Sequence, residues 1–324
     1  SVSVEVYMVN NRKGGVGKTS ITVQIAANWA ALGFNVAIAD GDDQANATSL
    51  ALPRREFPAT LTDVVIKETP LVQAMRQVRK RLWIIPADEG LREAASYIDA
   101  HQDFDIIVDR ITELRETLPP PPPRNHLPWW NKPTININAF KLEETTDAEF
   151  VTPPPYLDFL LFDSPPQEND LTISMIYASD KILIPIEMDQ FSVDGLAKLV
   201  NSIARRFRPR IKKVEIVGIL PNKILHKPGN PVPMDFLESV WKHFPQLARR
   251  PIHHDDTIPV AQAYHKVALE MNRDSRASRE LCALALELVG YEGDMAGVTI
   301  CDICTEAVAR AQEASVTVKG QANG

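Results

Sequence analysis

Asn10–Thr19 reads NNRKGGVGKT, and this stretch decides the fold. Gly14, Gly15 and Gly17 accept backbone angles that other residues avoid, so the segment can curl around an anion with its N–H groups turned inward. Lys18 places a positive charge where outer phosphates would lie, and Thr19 offers a hydroxyl to a magnesium ion. The flanks agree: an apolar run, Val4–Val9, precedes the loop, and Ile21, Ile25, Trp29 and Leu32 follow at helical spacing, with Gly33 as a stop. Strand, glycine-rich turn and helix N-terminus is the arrangement that binds phosphate. The loop departs from the general P-loop pattern in one place. The glycine expected six residues before the lysine is Arg12, and a second lysine, Lys13, stands ahead of the glycine pair.

Moving outward, residues 34–39 (FNVAIA) form an apolar run that ends at Asp40, followed by Gly41-Asp42-Asp43-Gln44. A buried parallel strand that delivers carboxylates at its C-terminal end is how open α/β sheets build sites. Asp40 and Asp42 would then lie beside the glycine loop, one to hold Mg²⁺ through water and the other to orient or deprotonate an attacking water. Residues 60–80 read as helix in two segments, one carrying Leu61, Val64 and Val65, the other Leu71, Met75 and Val78. Leu82–Pro86 is a third strand. Two stretches compete to be the strand that ends in a metal-facing aspartate. In 103–109 (DFDIIVD) the apolar positions continue through Ile111, Leu114 and Leu118 at helical spacing, which makes an amphipathic helix. In 157–163 (LDFLLFD) the run is nearly continuous and stops at Ser164-Pro165-Pro166, which suits a strand buried on both faces. Asp163 is therefore assigned the metal-facing role and Asp109 is rejected.

Between those stretches, residues 119–155 hold Pro119–Pro123, Trp129-Trp130 and Pro153–Pro155. Such proline runs favour polyproline II. The segment reads as a surface insertion, either a passive loop or a docking arm that presents its two tryptophans. Regular pattern then resumes: a helix to Ala178, a strand over Lys181–Ile186, a helix over Val193–Phe207 and a strand over Val214–Leu220 that ends at Pro221-Asn222-Lys223. Asn222 is placed either to offer its amide to a purine edge or to serve as a turn residue. Arg205, Arg206, Arg208, Arg210, Lys212 and Lys213 crowd the link before that strand, as a phosphate-backbone contact or as a solvated basic loop. Asp235–Phe244 reads as helix, 251–259 as a loop whose His253, His254, Asp255 and Asp256 do not make a metal site on their own, and Ser275–Val289 as a final amphipathic helix. Cys301 and Cys304 form a CxxC that lacks the second half of a zinc site, and it reads as incidental. The last dozen residues read as polar and disordered.

Bulk composition sets the limits. A net charge of −7 over 324 residues excludes a generally basic nucleic-acid coat while leaving room for a local patch. No apolar stretch approaches the ~18 residues of a membrane span, and the N-terminus has no secretory pattern. Three cysteines cannot form a disulfide framework, so a cytoplasmic setting is expected.

Taken together, RKGGVGKTS (12–20), ADGDDQANAT (39–48) and FDSPP (162–166) resemble the motifs of the ParA/MinD superfamily of deviant-Walker ATPases. The run ASDKILIPIEMDQFSVDGLAKLV (178–200) and IPVAQAY (258–264) are similar to its ParA branch. The match covers about 1–118 and 156–290. It implies an α/β P-loop fold, a mostly parallel twisted sheet flanked by helices on both faces, as one ATPase domain over 1–290 with a tail over 291–324. It implies ATP and Mg²⁺. Gly14, Gly15, Val16, Gly17, Lys18, Thr19 and Ser20 would bind the nucleotide and Asn222 the adenine, while Thr19, Asp40 and Asp163 would hold the metal shell. Lys13, Lys18 and Asp42 would be catalytic, with Lys13 reaching across an ATP-dependent homodimer, as an arginine finger does. Asp43 stands where the family usually has proline, which bears on the Asp42 assignment. The resemblance further implies a cytoplasmic, nucleoid-associated switch that binds DNA non-specifically in its ATP state and segregates a plasmid or chromosome. Hydrolysis would be triggered by a ParB-like activator or cargo adaptor. Alternatives are positioning of a protein cargo on the nucleoid and a non-hydrolysing scaffold. A MinD-like membrane ATPase is a further alternative, disfavoured because 305–324 carries no basic amphipathic stripe.

Overall fold

The computed structural model describes residues 3–54, 56–188, 192–206, 214–298 and 301–322. In chain order, β1 (Glu5–Val9) leads through the glycine loop into α1 (Lys18–Leu32), β2 (Val36–Asp40), α2 (Leu61–Ile66), α3 (Leu71–Ala74), β3 (Arg76–Arg79) and β4 (Leu82–Ile85). Next come α4 (Leu91–His101), α5 (Ile106–Thr117), β5 (Thr134–Asn136), α6 (Asp147–Phe150), β6 (Phe159–Asp163), α7 (Asp170–Ala178), β7 (Lys181–Ile186), α8 (Val193–Arg206) and β8 (Glu215–Pro221). The chain closes with α9 (Val232–His243), α10 (Thr257–Ala263), α11 (Ala268–Met271), α12 (Arg276–Leu288), β9 (Asp294–Ala296) and α13 (Asp302–Ala322).

Among the described residues the main sheet has seven strands in the order β3-β4-β2-β6-β1-β7-β8. Every neighbouring pair is parallel except β3–β4. The strands alternate as a two-sided sheet must. Tyr7 and Val9 of β1 face the layer that holds α1 and α12, while Val6 and Met8 face the layer of α2, α4, α5 and α7. α1 is tied to α12 by the Trp29 indole, whose N–H donates to the Ala285 carbonyl at 2.9 Å. The expected α/β P-loop architecture, with helices on both faces, is borne out.

Three local readings are corrected. Residues 76–79 are an antiparallel strand rather than helix. Leu71, Met75 and Val78 fit helical spacing, but Met75 packs in one layer and Val78 in the other. The insertion is not an exposed arm carrying two tryptophans. Trp129 is buried, its indole N–H donates to the Leu32 carbonyl at 2.7 Å, and its ring meets Phe34, Phe140 and Tyr291 edge-on. Trp130 is half-buried beneath the Arg124 guanidinium. The segment also contributes β5, which pairs in parallel with β9. Finally, residues 302–322 are helical. Ile303, Ala307 and Ala311 recur every fourth residue and are buried, and the first two pack against Met234 and Leu237 of α9. Polar composition conceals this narrow stripe.

Candidate functional site

The site lies where β1, β2 and β6 end. At the start of the loop Asn11 is buried and braces both sides. Its amide donates to the Pro185 carbonyl at 2.8 Å, and its side-chain oxygen accepts the Lys13 backbone N–H at 3.0 Å. Gly15 and Gly17 adopt φ of 80° and 85°, in the left-handed region. A Cβ on Gly17 would also stand 2.6 Å from the Asn222 amide nitrogen and displace it, which adds to the strain of its backbone angle. Gly14 lies against Pro166, and Val16 is buried, its carbonyl accepting the Asn222 amide at 3.1 Å. Among the described residues no side chain caps the N-terminus of α1, so its first amide groups remain available to an anion.

Lys18 opens α1 and is buried. Its Nζ donates to the Asn11 carbonyl at 3.0 Å and the Pro165 carbonyl at 3.1 Å. Burial pushes its pKa below the usual lysine value, and the Asp163 and Asp42 carboxylates oppose that shift. The Thr19 hydroxyl donates to Asp163, 2.9 and 3.0 Å from its two oxygens. Asp163 sits in register beside Asp40, both fully buried. Burial, then the charge of Asp40, pushes the Asp163 carboxyl well above the carboxylate range. Burial raises Asp40 to about 6. The Asp40 oxygens shape the next loop: one accepts the Asp42 N–H at 3.1 Å, the other the Thr48 N–H at 2.8 Å and its hydroxyl at 2.6 Å. Asp42 is buried at the cavity wall with one oxygen accepting the Gln44 N–H at 3.1 Å, and burial raises its pKa. Its neighbour Asp43 points elsewhere, accepting from Arg92 Nε of α4 at 2.6 Å.

A cavity of about 490 Å³ opens beside them, lined among others by Gly17, Lys18, Thr19, Ser20, Asp42 and Asn222. Asn222 is nevertheless buried with its amide on the loop carbonyl. Ser164 also lines the cavity, and its buried hydroxyl has no hydrogen-bond partner among the described residues. Lys223 closes the same edge, its Nζ donating to the Gly15 carbonyl at 2.8 Å. The opposite wall is the 251–256 loop and the start of α10, through His253, His254, Asp255 and Ile258. Sequence reading missed Thr48, Ser164, Lys223 and this wall. Thr48 and Ser164 sit inside the quoted motifs, and Ile258 opens the quoted IPVAQAY run, but nothing local brings the 251–256 loop to the site, because 91 residues separate Asp255 from Ser164 in the chain.

Lys13 is exposed and lies on a separate open groove with Arg12, Asp43 and Glu168, away from its own cavity. Of the basic run, Arg205 is exposed in the last turn of α8 and Arg206 ends that helix. Arg208, Arg210, Lys212 and Lys213 lie outside the described residues.

Chemically the site offers an anion cradle, one buried cation and hard oxygen donors. The donor set fits a small divalent ion: a hydroxyl and carboxylates, with two fully buried acids side by side whose charged forms only a cation would relieve. A parallel sheet, a glycine loop entering a helix, and paired acids at adjacent strand ends define a nucleotide-binding P-loop domain. The chain belongs to the CobQ/CobB/MinD/ParA nucleotide-binding domain family, whose model matches residues 7–268. It is 25% identical over 294 residues to the chromosome partitioning protein ParA of Caulobacter vibrioides, covering 90% of this chain and 96% of that one. It is 27% identical over 209 residues to the maintenance of carboxysome distribution protein A of Synechococcus elongatus, covering 64% and 68%. In structure it resembles an ATP complex of Cyanothece McdA, with a TM-score of 0.68 at 17% identity over 90% of this chain and 98% of that one.

Proposed function

We propose that this chain is a Mg²⁺-dependent ATPase that dimerises on ATP, binds DNA non-specifically in that state, and positions a plasmid or chromosome. Hydrolysis is stimulated by a ParB-like partner, and the protein works in the cytoplasm on the nucleoid. The observation that carries the reading is the convergence of Lys18, Thr19 and Asp42 on one cavity at the N-terminus of α1, with the buried Asp163 carboxylate directly behind the Thr19 hydroxyl.

Each residue then has a task. The amides of residues 14–20 and the Lys18 ammonium hold the phosphate oxygens. Thr19 and Asp163, with Asp40 behind them, would hold Mg²⁺. That ion supplies charge neutralisation on the phosphates. Asp42 orients the attacking water, the role its place on the cavity wall favours. Asn222 contacts the adenine after its amide leaves the Val16 carbonyl. Lys13, exposed and turned away from its own cavity, is suited to reach a second copy's phosphates, which couples turnover to assembly. The same machine serves a protein cargo equally well, a reading favoured by the carboxysome-distribution relative.

Steady-state ATP turnover with and without Mg²⁺ tests the enzyme itself. Chelation abolishes turnover on this account, and magnesium-independent turnover contradicts it. Lys13→Ala keeps nucleotide binding and loses ATP-driven dimerisation, read by light scattering. Normal dimerisation in that variant removes the cross-interface role. Arg205→Glu with Arg206→Glu lowers DNA affinity about 10-fold or more at moderate salt and flattens the salt slope, because each lost phosphate contact removes about one counterion from the exchange. Basal turnover is unchanged. Unaltered DNA affinity moves the DNA face elsewhere.

A further inference from the structure

The CxxC that reads as incidental in the sequence meets a histidine in the fold. Cys301 precedes α13, Cys304 lies in its first turn, and His253 belongs to the loop that walls the nucleotide cavity. Cys301 Sγ is 3.2 Å from His253 Nε2. The sulfurs of Cys301 and Cys304 and the imidazole nitrogen all lie within 4.8 Å of one another. On the other side of the ring, His253 Nδ1 is 2.9 Å from Glu280 Oε1, and the His253 backbone N–H donates to Glu280 Oε2 at 2.9 Å. A carboxylate that holds Nδ1–H fixes the tautomer and aims the Nε2 lone pair at the thiols.

We propose that His253, Cys301 and Cys304 form a binding site for Zn²⁺, with Glu280 positioning the histidine. Two thiolates and an imidazole select a borderline-soft ion over Mg²⁺ or Ca²⁺. Zinc bonds of about 2.3 Å to sulfur and about 2.0 Å to nitrogen put tetrahedral donors roughly 3.5–3.8 Å apart. The Cys301–His253 pair at 3.2 Å therefore opens by a few tenths of an ångström, and no other separation closes by more than about 1 Å. Arg276 Nη2 also approaches His253 Nε2 at 3.2 Å while its Nε donates to Glu280 at 2.7 Å. Its side chain is 40% exposed, so it can keep Glu280 and swing away from Nε2 as the ion enters. Binding leaves both sulfurs as thiolates and His253 Nε2 unprotonated, and the protons these three groups carried go to solvent. The three donors line a cavity of about 390 Å³, which leaves room for water as a fourth ligand.

A bound ion would staple α13 to the wall of the nucleotide cavity. His253 borders both cavities, and His254 and Asp255 follow it on the nucleotide side. A dithiol that merely cycles to a disulfide is the competing use of the pair. It leaves the carboxylate-held histidine without a task.

The test is a titration of the full-length, reduced protein with Co²⁺ alone, without nucleotide, followed by Zn²⁺ competition. One equivalent binds, with thiolate-to-cobalt charge transfer and the visible bands of a tetrahedral ion, and Zn²⁺ displaces it. Cys301→Ser with Cys304→Ser abolishes the charge-transfer band. Glu280→Gln keeps the band but weakens affinity about 10–100-fold, as loss of a carboxylate behind a liganding histidine does. Zinc also slows hydrogen exchange over 251–256 in the wild type. Cobalt uptake without a charge-transfer band places the metal elsewhere and overturns the site, as does equal uptake by the double serine variant. No uptake by the wild type, whose folding needs no substitution, overturns it too.

Discussion

Lys18→Ala lowers ATP turnover by at least about 10²-fold and cuts most of the thermal stabilisation that ATP confers on the wild type. The Lys18 ammonium is already held by the Asn11 and Pro165 carbonyls, so no reorganisation is needed when phosphate arrives. A buried charge aimed at developing negative charge acts in a low-dielectric site, and removing one such donor costs about 10²–10³ in rate. Linkage gives the second readout. A ligand at about 100 times its Kd stabilises a fold by about 2.7 kcal/mol. Without Lys18 that increment shrinks to the contribution of the loop amides. Ligand-free stability changes little, because the substitution removes two hydrogen bonds and also a desolvated ammonium. Differential scanning with and without Mg-ATP, beside a turnover assay, checks both parts. A variant that hydrolyses ATP at the wild-type rate contradicts the assignment of this loop.

Trp129→Ala destabilises the fold by about 3–5 kcal/mol, the range for emptying a buried aromatic site. The effect is large because Trp129 joins three parts of the chain. Its ring lies 6.1 Å from Phe34 after α1, 6.0 Å from Phe140 within the insertion and 5.7 Å from Tyr291 beyond α12. Its indole N–H also satisfies the last carbonyl of α1. Trp130→Ala, at a half-buried ring that faces Arg124, costs about 1 kcal/mol. Chemical denaturation midpoints compare the two. A loss below about 1 kcal/mol for Trp129→Ala would return the insertion to the periphery.

The parts of the molecule that sequence revealed are those with local signals. The glycine loop, α1, and the strands ending at Asp40 and Asp163 are continuous motifs. Asp163 is separable from Asp109 because strand and helix periods differ over a few residues. What stayed hidden depends on chain segments far apart in sequence. Leu127 and Trp129, and again Ile135 and Ile137, are buried two residues apart, but each alternation is too short, among the proline runs and polar residues around it, to mark an inward face. β3 is short, and Met75 and Val78, three apart, satisfy a helix face as well as opposite sides of a strand. His253 and Cys301 are 48 residues apart and meet only because α13 folds back along α9. The roles proposed for Lys13 and the basic link would lie in contacts with a second copy or with DNA, which the spacing of one chain does not carry.

The most direct test of the central claim is DNA binding by the full-length protein with no nucleotide, with ADP and with ATP, on unrelated sequences over a salt series. The switch account predicts tight binding only with ATP, equal on all sequences, with log affinity falling steeply against log salt because lysine and arginine replace counterions. Binding that is absent in every nucleotide state, or equal in all of them, contradicts it.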